Sequence, residues 1–177
     1  MRNAVQRRDG DARERYADPS GEYVGQFKKH LRSGYGILTY VTGDTYDGQW
    51  REDEPHGVGV RTWPDGARYE GQFYDGMRHG RGIFICGQGY QYRGEWQNQY
   101  RHGKGLQEYS GGEFYEGMFA NGVFHGLGRY NFADGSVARG VFREGEFVEP
   151  GGGDSLRADA GSALSESKVV LNRSSQR

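Results

Sequence analysis

The chain has little of the material from which ordinary globular cores are built. Only 34% of its 177 residues are hydrophobic, and leucine is scarce among them. Mean hydropathy is −0.94. A thick, Leu-rich helical core is excluded on that composition. One cysteine, Cys86, allows no internal disulfide and fits a reducing compartment. No apolar run approaches the ~20 residues that a helical membrane span needs. The opening residues, with Arg7, Arg8 and Asp9 close behind Met1, lack the apolar centre of a secretory signal. An excess of either charge is missing too. Lys and Arg number 23 against 24 Asp and Glu, a net of −1. That leaves no electrostatic footprint for nucleic acid. A soluble, intracellular protein is expected.

Two residue types are abundant, Gly (32) and Tyr (13), and both fall at fixed spacing. Tyr23, Tyr46, Tyr69, Tyr92 and Tyr115 stand 23 residues apart, and a sixth step reaches Ala138. Fixed-period self-similarity marks a repeat architecture. Two residues after each of these positions comes Gly, as in Gly48, Gly71 and Gly94. Two further on comes an aromatic: Phe27, Trp50, Phe73, Trp96, Phe119 or Phe142. A polar turn such as Asp75-Gly76 or Asn121-Gly122 follows, then Gly-x-Gly, as in Gly80 and Gly82. Four residues beyond its second Gly sits Tyr40, Trp63, Cys86, Tyr109 or Phe132.

The alternation has period two, the period of a strand. Asp-Gly and Asn-Gly between two such runs predict hairpin turns. Each unit is therefore a β-hairpin. The predicted fold is all-β: an elongated, single-layer antiparallel meander of stacked hairpins. Glycine inside a strand marks the close approach of another group. Here it would clear space for aromatic rings that form a row along the array. The array is placed at residues 21–148. Residues 1–20 read as a polar N-terminal tail. Residues 149–177 read as a Gly-rich linker and tail, either capping the last hairpin with a helix over Ser155 to Leu171 or remaining disordered.

The phased residues His56, His79, His102 and His125 suggest metal at first sight. Adjacent copies would lie two strands apart, about 9–10 Å, too far to share one zinc at ~2 Å from each ligand. They are read as structural. His102-Gly103-Lys104-Gly105 fails the phosphate-loop pattern, since Gly follows Lys104 and Asn98 occupies the required earlier glycine position. No nucleophile motif stands out, and Cys86 reads as a small packed residue. No catalytic residue, metal or cofactor is expected.

Tyr69-Glu70-Gly71-Gln72-Phe73 with Met77-Arg78-His79-Gly80-Arg81-Gly82, and Tyr92-Arg93-Gly94-Glu95-Trp96 with Arg101-His102-Gly103-Lys104-Gly105, resemble the MORN repeat. Trp63-Pro64-Asp65-Gly66 matches as well, and the likeness runs from 23 to about 148 in five full copies and a partial sixth. The resemblance implies a hairpin array with a groove, serving as a non-enzymatic scaffold. The implied setting is a cytoskeletal, ciliary or flagellar assembly with cytoskeletal or axonemal partners. A partner helix is expected on Trp50, Trp63, Tyr69, Phe73, Tyr92, Trp96 and Tyr109, which are central and in phase. The alternative is an adaptor at a membrane surface. Arg78, Arg81, Arg101 and Lys104 share phases and would form a patch for anionic phosphoinositide headgroups. Homo-oligomers through exposed end strands are a further expectation.

Overall fold

The computed structural model describes residues 10–148 as one open sheet of thirteen strands in sequence order, each antiparallel to the next. They are β1 (Gly10–Asp18), β2 (Gly21–Lys28), β3 (Leu31–Tyr40), β4 (Thr45–Arg51), β5 (Glu54–Thr62), β6 (Arg68–Tyr74), β7 (Met77–Ile85), β8 (Gln91–Gln97), β9 (Tyr100–Glu108), β10 (Phe114–Ala120), β11 (Val123–Asn131), β12 (Val137–Arg143) and β13 (Glu146–Val148). The described residues contain no helix. This is the expected single-layer meander. One boundary differs: the sheet begins at Gly10, inside the stretch expected to be a polar tail. There β1 pairs with β2 through Tyr16↔Tyr23 and Asp18↔Gly21. The proposed C-terminal helix lies outside the described residues.

The hairpins turn through two residues with positive φ, the combination that matches strand twist. Asp75 (46°) and Gly76 (75°) do so in the third, and Asn121 (50°) and Gly122 (86°) in the fifth. Glu144 (51°) and Gly145 (88°) do so in the sixth, and in the other three both turn residues carry side chains: Lys29-His30, Glu52-Asp53 and Asn98-Gln99. Neighbouring hairpins are tied at these turns. The Gly76 N–H donates to the Pro55 carbonyl at 2.9 Å, and the Gln99 N–H to the Arg78 carbonyl at 3.0 Å.

A bulge interrupts each of the five hairpins from β2–β3 to β10–β11, because the second strand carries extra residues opposite the first. Gly80, at φ 60°, makes that left-handed step in the third repeat. A side chain completes the bulge: Gln72 Oε1 accepts the Arg81 N–H at 2.7 Å. Gln26 and Gln49 do the same for Tyr35 and Val58.

The core is a line of rings. Each repeat's Tyr stands edge-on between the aromatic of its own repeat and that of the next. Tyr69 lies 5.1 Å from Phe73 at 87° and 5.2 Å from Trp96 at 85°. Tyr46 bridges Trp50 and Phe73, and Tyr92 bridges Trp96 and Phe119, in the same way. The zigzag runs without a break from Phe27 to Phe142. T-shaped pairs contribute roughly 0.5–1.5 kcal/mol each beyond burial. The expected row is therefore present, with rings meeting edge to face.

Glycine makes the line possible. Gly71 faces Gly82 across the β6–β7 ladder, and the Tyr69 ring lies over the pair. Its hydroxyl donates to the Gln72 carbonyl at 2.9 Å. A Cβ on Gly71 would stand 2.5 Å from Gly82 Cα and 2.7 Å from the Tyr69 hydroxyl. The pair repeats as Gly48 with Gly59 and Gly94 with Gly105. Gly71→Ala is expected to cost about 1–3 kcal/mol of stability through overpacking. Gly111→Ala, where an added Cβ meets nothing within 4 Å, is expected to be neutral or slightly stabilising. Urea unfolding followed by circular dichroism compares the two, and equal midpoints would contradict this packing.

Candidate partner-binding face

Because side chains alternate along a strand, the sheet has two faces of unlike chemistry. One carries the ring line and, directly across the ladder from each Tyr, a second row: Leu38, Arg61, Phe84, Gln107 and Tyr130. The other carries Ile37, Val60, Ile83 and Leu106 among charged residues such as Asp47, Glu70, Arg93 and Glu116.

The seven aromatics expected to meet a partner divide sharply. Tyr69 and Tyr92 are 0% exposed, and Trp50, Phe73 and Trp96 are at most 5% exposed. These five are the packed line itself, a floor with almost no exposed surface. The glycine pairs let the tyrosines lie flat, and the T-shaped neighbours then cover them. Trp63 and Tyr109 differ. They stand half-buried at the loop end of the strands, packed against the floor from one side. Tyr40, Phe84 and Phe132 stand with them. Trp63 meets Phe84 at 6.0 Å, Phe84 meets Tyr90 at 5.9 Å, and Tyr109 meets Tyr130 at 6.3 Å. This broken row of half-covered rings is the ring face's apolar edge.

The four basic residues expected to form one patch also divide. Residues three apart on a strand point to opposite sides. Arg78 and Arg101 lie on the ring face, half-buried, while Arg81 and Lys104 are exposed on the other. The Arg78 guanidinium sits 4.5 Å from the centre of Trp96, 5.6 Å from Phe84 and 5.8 Å from Tyr69. Arg101 covers Tyr92 and Phe119 at 5.9 and 5.8 Å. Cation–π attraction and the burial of long side-chain stems both favour this placement.

Partners differ along the array. Arg32 is paired with Asp53 at 3.2 Å and stacks over Trp50 at 4.6 Å. Arg61 reaches Asp44 through Nε at 3.0 Å and lies over Tyr40 and Trp63. Burial works to raise the Asp44 carboxyl, but hydrogen bonds from Thr42 and Arg61 outweigh it and hold the group below its ordinary value. Arg78 has an amide instead: its Nε and backbone N–H both donate to Gln99 Oε1 at 3.0 Å. Arg101 donates to Gln107 Oε1 and, at 2.5 Å, to the Gly122 carbonyl. Desolvation pushes both Arg78 and Arg101 below the usual guanidinium value.

Phe84, Tyr90, Gln107 and Arg61 were not anticipated as site residues. Their signal was available, since they fall at constant offsets from each repeat's first Tyr. His56 packs against Tyr74 at 5.2 Å, and His79 against Tyr74 at 5.8 Å. Among the described residues no three His, Cys, Asp or Glu gather as a metal site would require.

A protein-family model described as MORN repeat matches residues 23–45, 46–68, 69–89, 92–114 and 115–137. No curated protein matches the chain.

Burial of the ring line has a consequence at high pH. Desolvation raises the Tyr23, Tyr109 and Tyr115 hydroxyls to about 12 and moves Tyr46, Tyr69, Tyr92 and Tyr130 upward as well. The folded state thus holds these protons more tightly than the unfolded chain, whose tyrosines titrate near 10. Their contribution to stability is complete below pH ~10 and is lost as pH rises toward 12. Ultraviolet titration should show these phenols ionising late, together with the loss of near-ultraviolet circular dichroism. Full ionisation near pH 10 with the fold retained would contradict their burial.

Proposed function

The chain belongs to the MORN repeat family, a family of binding repeats found in protein- and membrane-binding proteins, and from that premise we propose that it is a non-enzymatic scaffold. Its ring face receives a partner protein, and a helix with apolar anchors fits it. One observation carries this reading: Trp63, Phe84 and Tyr109 stand half-covered along a rigid floor of buried rings. Stiff aromatics with few rotamers are the usual anchors of interfaces. The floor holds them in place before a partner arrives, which lowers the ordering cost of binding. The setting, a cytoskeletal or ciliary/flagellar assembly inside the cell, is supported by the family likeness alone.

The second reading is an adaptor for phosphoinositide membranes. It has less support, because the four basic residues do not share a face. A flat bilayer would meet Arg81 and Lys104 or Arg78 and Arg101, but not all four. A membrane contact would run through the exposed pair.

Trp63→Ser with Tyr109→Ser removes surface anchors and leaves the buried line intact. The variant is expected to keep the parent's circular dichroism. Its affinity for partners purified from the native cell should fall by about 30-fold or more, the loss of a single interface hot spot. Unchanged recovery of the same partners would sink the ring-face reading. Salt-sensitive flotation with phosphoinositide vesicles, lost in Arg81→Gln with Lys104→Gln, would favour the membrane reading.

A further inference from the structure

The repeats act as internal controls for one another. Arg32 and Arg78 occupy the same phase, two repeats apart, and each stacks on the next repeat's Trp. The residue that binds each is also in phase, at the second position of the following turn. For Arg32 it is Asp53, whose Oδ1 accepts the Arg32 backbone N–H at 2.7 Å and Nε at 3.2 Å. For Arg78 it is Gln99, in the same geometry but without charge. One repeat later the position is Gly122, which has no side chain and offers Arg101 only its carbonyl.

A second phase repeats the substitution. Asp44 neutralises Arg61. Its equivalent two repeats on is Tyr90, which feels the fields of both Arg78 and Arg101. The next equivalent, Glu113, is engaged by the Tyr130 hydroxyl at 3.2 Å. At the centre, then, the turn position holds Gln99 or Gly122, the second phase holds Tyr90, and the one carboxylate, Glu113, is bonded to Tyr130. Two half-buried guanidiniums remain there, and among the described residues neither has a carboxylate partner. Partly desolvated cations without counter-ions are costly. A desolvated charge on an open face is a candidate functional site.

We propose that Arg78 and Arg101 form an anion-binding pair that takes carboxylates from the partner, so that the partner segment is acidic. This inference rests on the ring-face reading and specifies the chemistry of the segment lying there. Adjacent repeats are two strands apart, about 9–10 Å. Two turns of helix, seven residues, advance about 10.5 Å. A helix running along the array would thus present acidic residues at i and i+7 to the two arginines, with apolar residues between them toward Phe84 and before them toward Trp63. A peptide carboxylate is favoured over a lipid headgroup because the two guanidiniums lie down among rings. The exposed cations that a bilayer would need are on the opposite face.

The test selects displayed helical peptides, randomised over two to three turns, against the full chain. Binders are then measured against Gln99→Asp, which rebuilds the Arg32–Asp53 arrangement and supplies the missing charge internally. Asp53 already adopts the required φ of 69°, close to the 75° of Gln99, so the variant is expected to fold. The proposal predicts enrichment of Glu or Asp at seven-residue spacing. It also predicts at least about a tenfold weaker affinity for Gln99→Asp, with Arg81→Gln unchanged. Binders that depend on Trp63 and Tyr109 yet show no acidic enrichment would overturn the proposal and leave the ring-face reading standing. Absence of any binder that depends on Trp63 and Tyr109 would overturn both. Vesicles containing phosphatidylinositol bisphosphate that bind the parent but not Gln99→Asp would overturn it in favour of a headgroup.

Discussion

An edge-on contact between a tyrosine and two aromatic rings, made over a pair of glycines, is what the rest of the structure depends on. A single-layer sheet has no second layer on which to bury an apolar face. Here the buried material is laid along the sheet instead of between layers. Each Tyr lies flat on the strands because Gly-on-Gly pairing removes both Cβ atoms beneath it. Its edges then meet one ring from its own hairpin and one from the next. Intra-repeat and inter-repeat stability thus reside in the same side chain. Stability in such arrays is a sum of unit and nearest-neighbour terms, and in this chain one residue carries much of both.

The same constraint shapes the ring face. Because the floor is closed by its own rings, only what stands above it is open to contact. That leaves the loop-end aromatics Trp63, Phe84 and Tyr109, together with the arginines that stack on the floor. The arginines have two tasks. Their planes cover the indoles of Trp50 and Trp96, and their charge needs compensation. At the start of the array the chain compensates itself through Asp53 and Asp44. At the centre it does not, and the difference gives an otherwise regular array one distinct region.

Much of the fold was legible because it is written five times. Tyr-x-Gly-x-aromatic fixes the strand period, the 23-residue step fixes the stacking, and the Asp-Gly turns fix the hairpins. The strand β1 was not legible, because Gly10–Asp18 lacks the phased Gly and aromatic residues of the repeat. The site was read less well. Choosing Tyr69, Phe73 and Trp96 as contact residues treated large in-phase aromatics as surface anchors. Which rings are covered depends on tilt and edge contacts, and spacing alone does not encode those. Arg78, Arg81, Arg101 and Lys104 were grouped by shared phase, although the odd separation of Arg78 from Arg81, and of Arg101 from Lys104, sends each pair to opposite faces. The row Arg61, Phe84 and Gln107 went unnoticed because its residue types vary, even though its phase is constant.

Amide hydrogen exchange on Tyr69→Leu tests the central claim most directly. The Tyr69 ring joins Phe73 in its own hairpin to Trp96 in the next. Its loss should therefore speed exchange in β6 and β7 and equally in β8 and β9, while β2 and β3 keep their protection. Faster exchange confined to β6 and β7, with β8 and β9 protected as in the parent, would show that the tyrosines stabilise hairpins singly and that something else holds the array together.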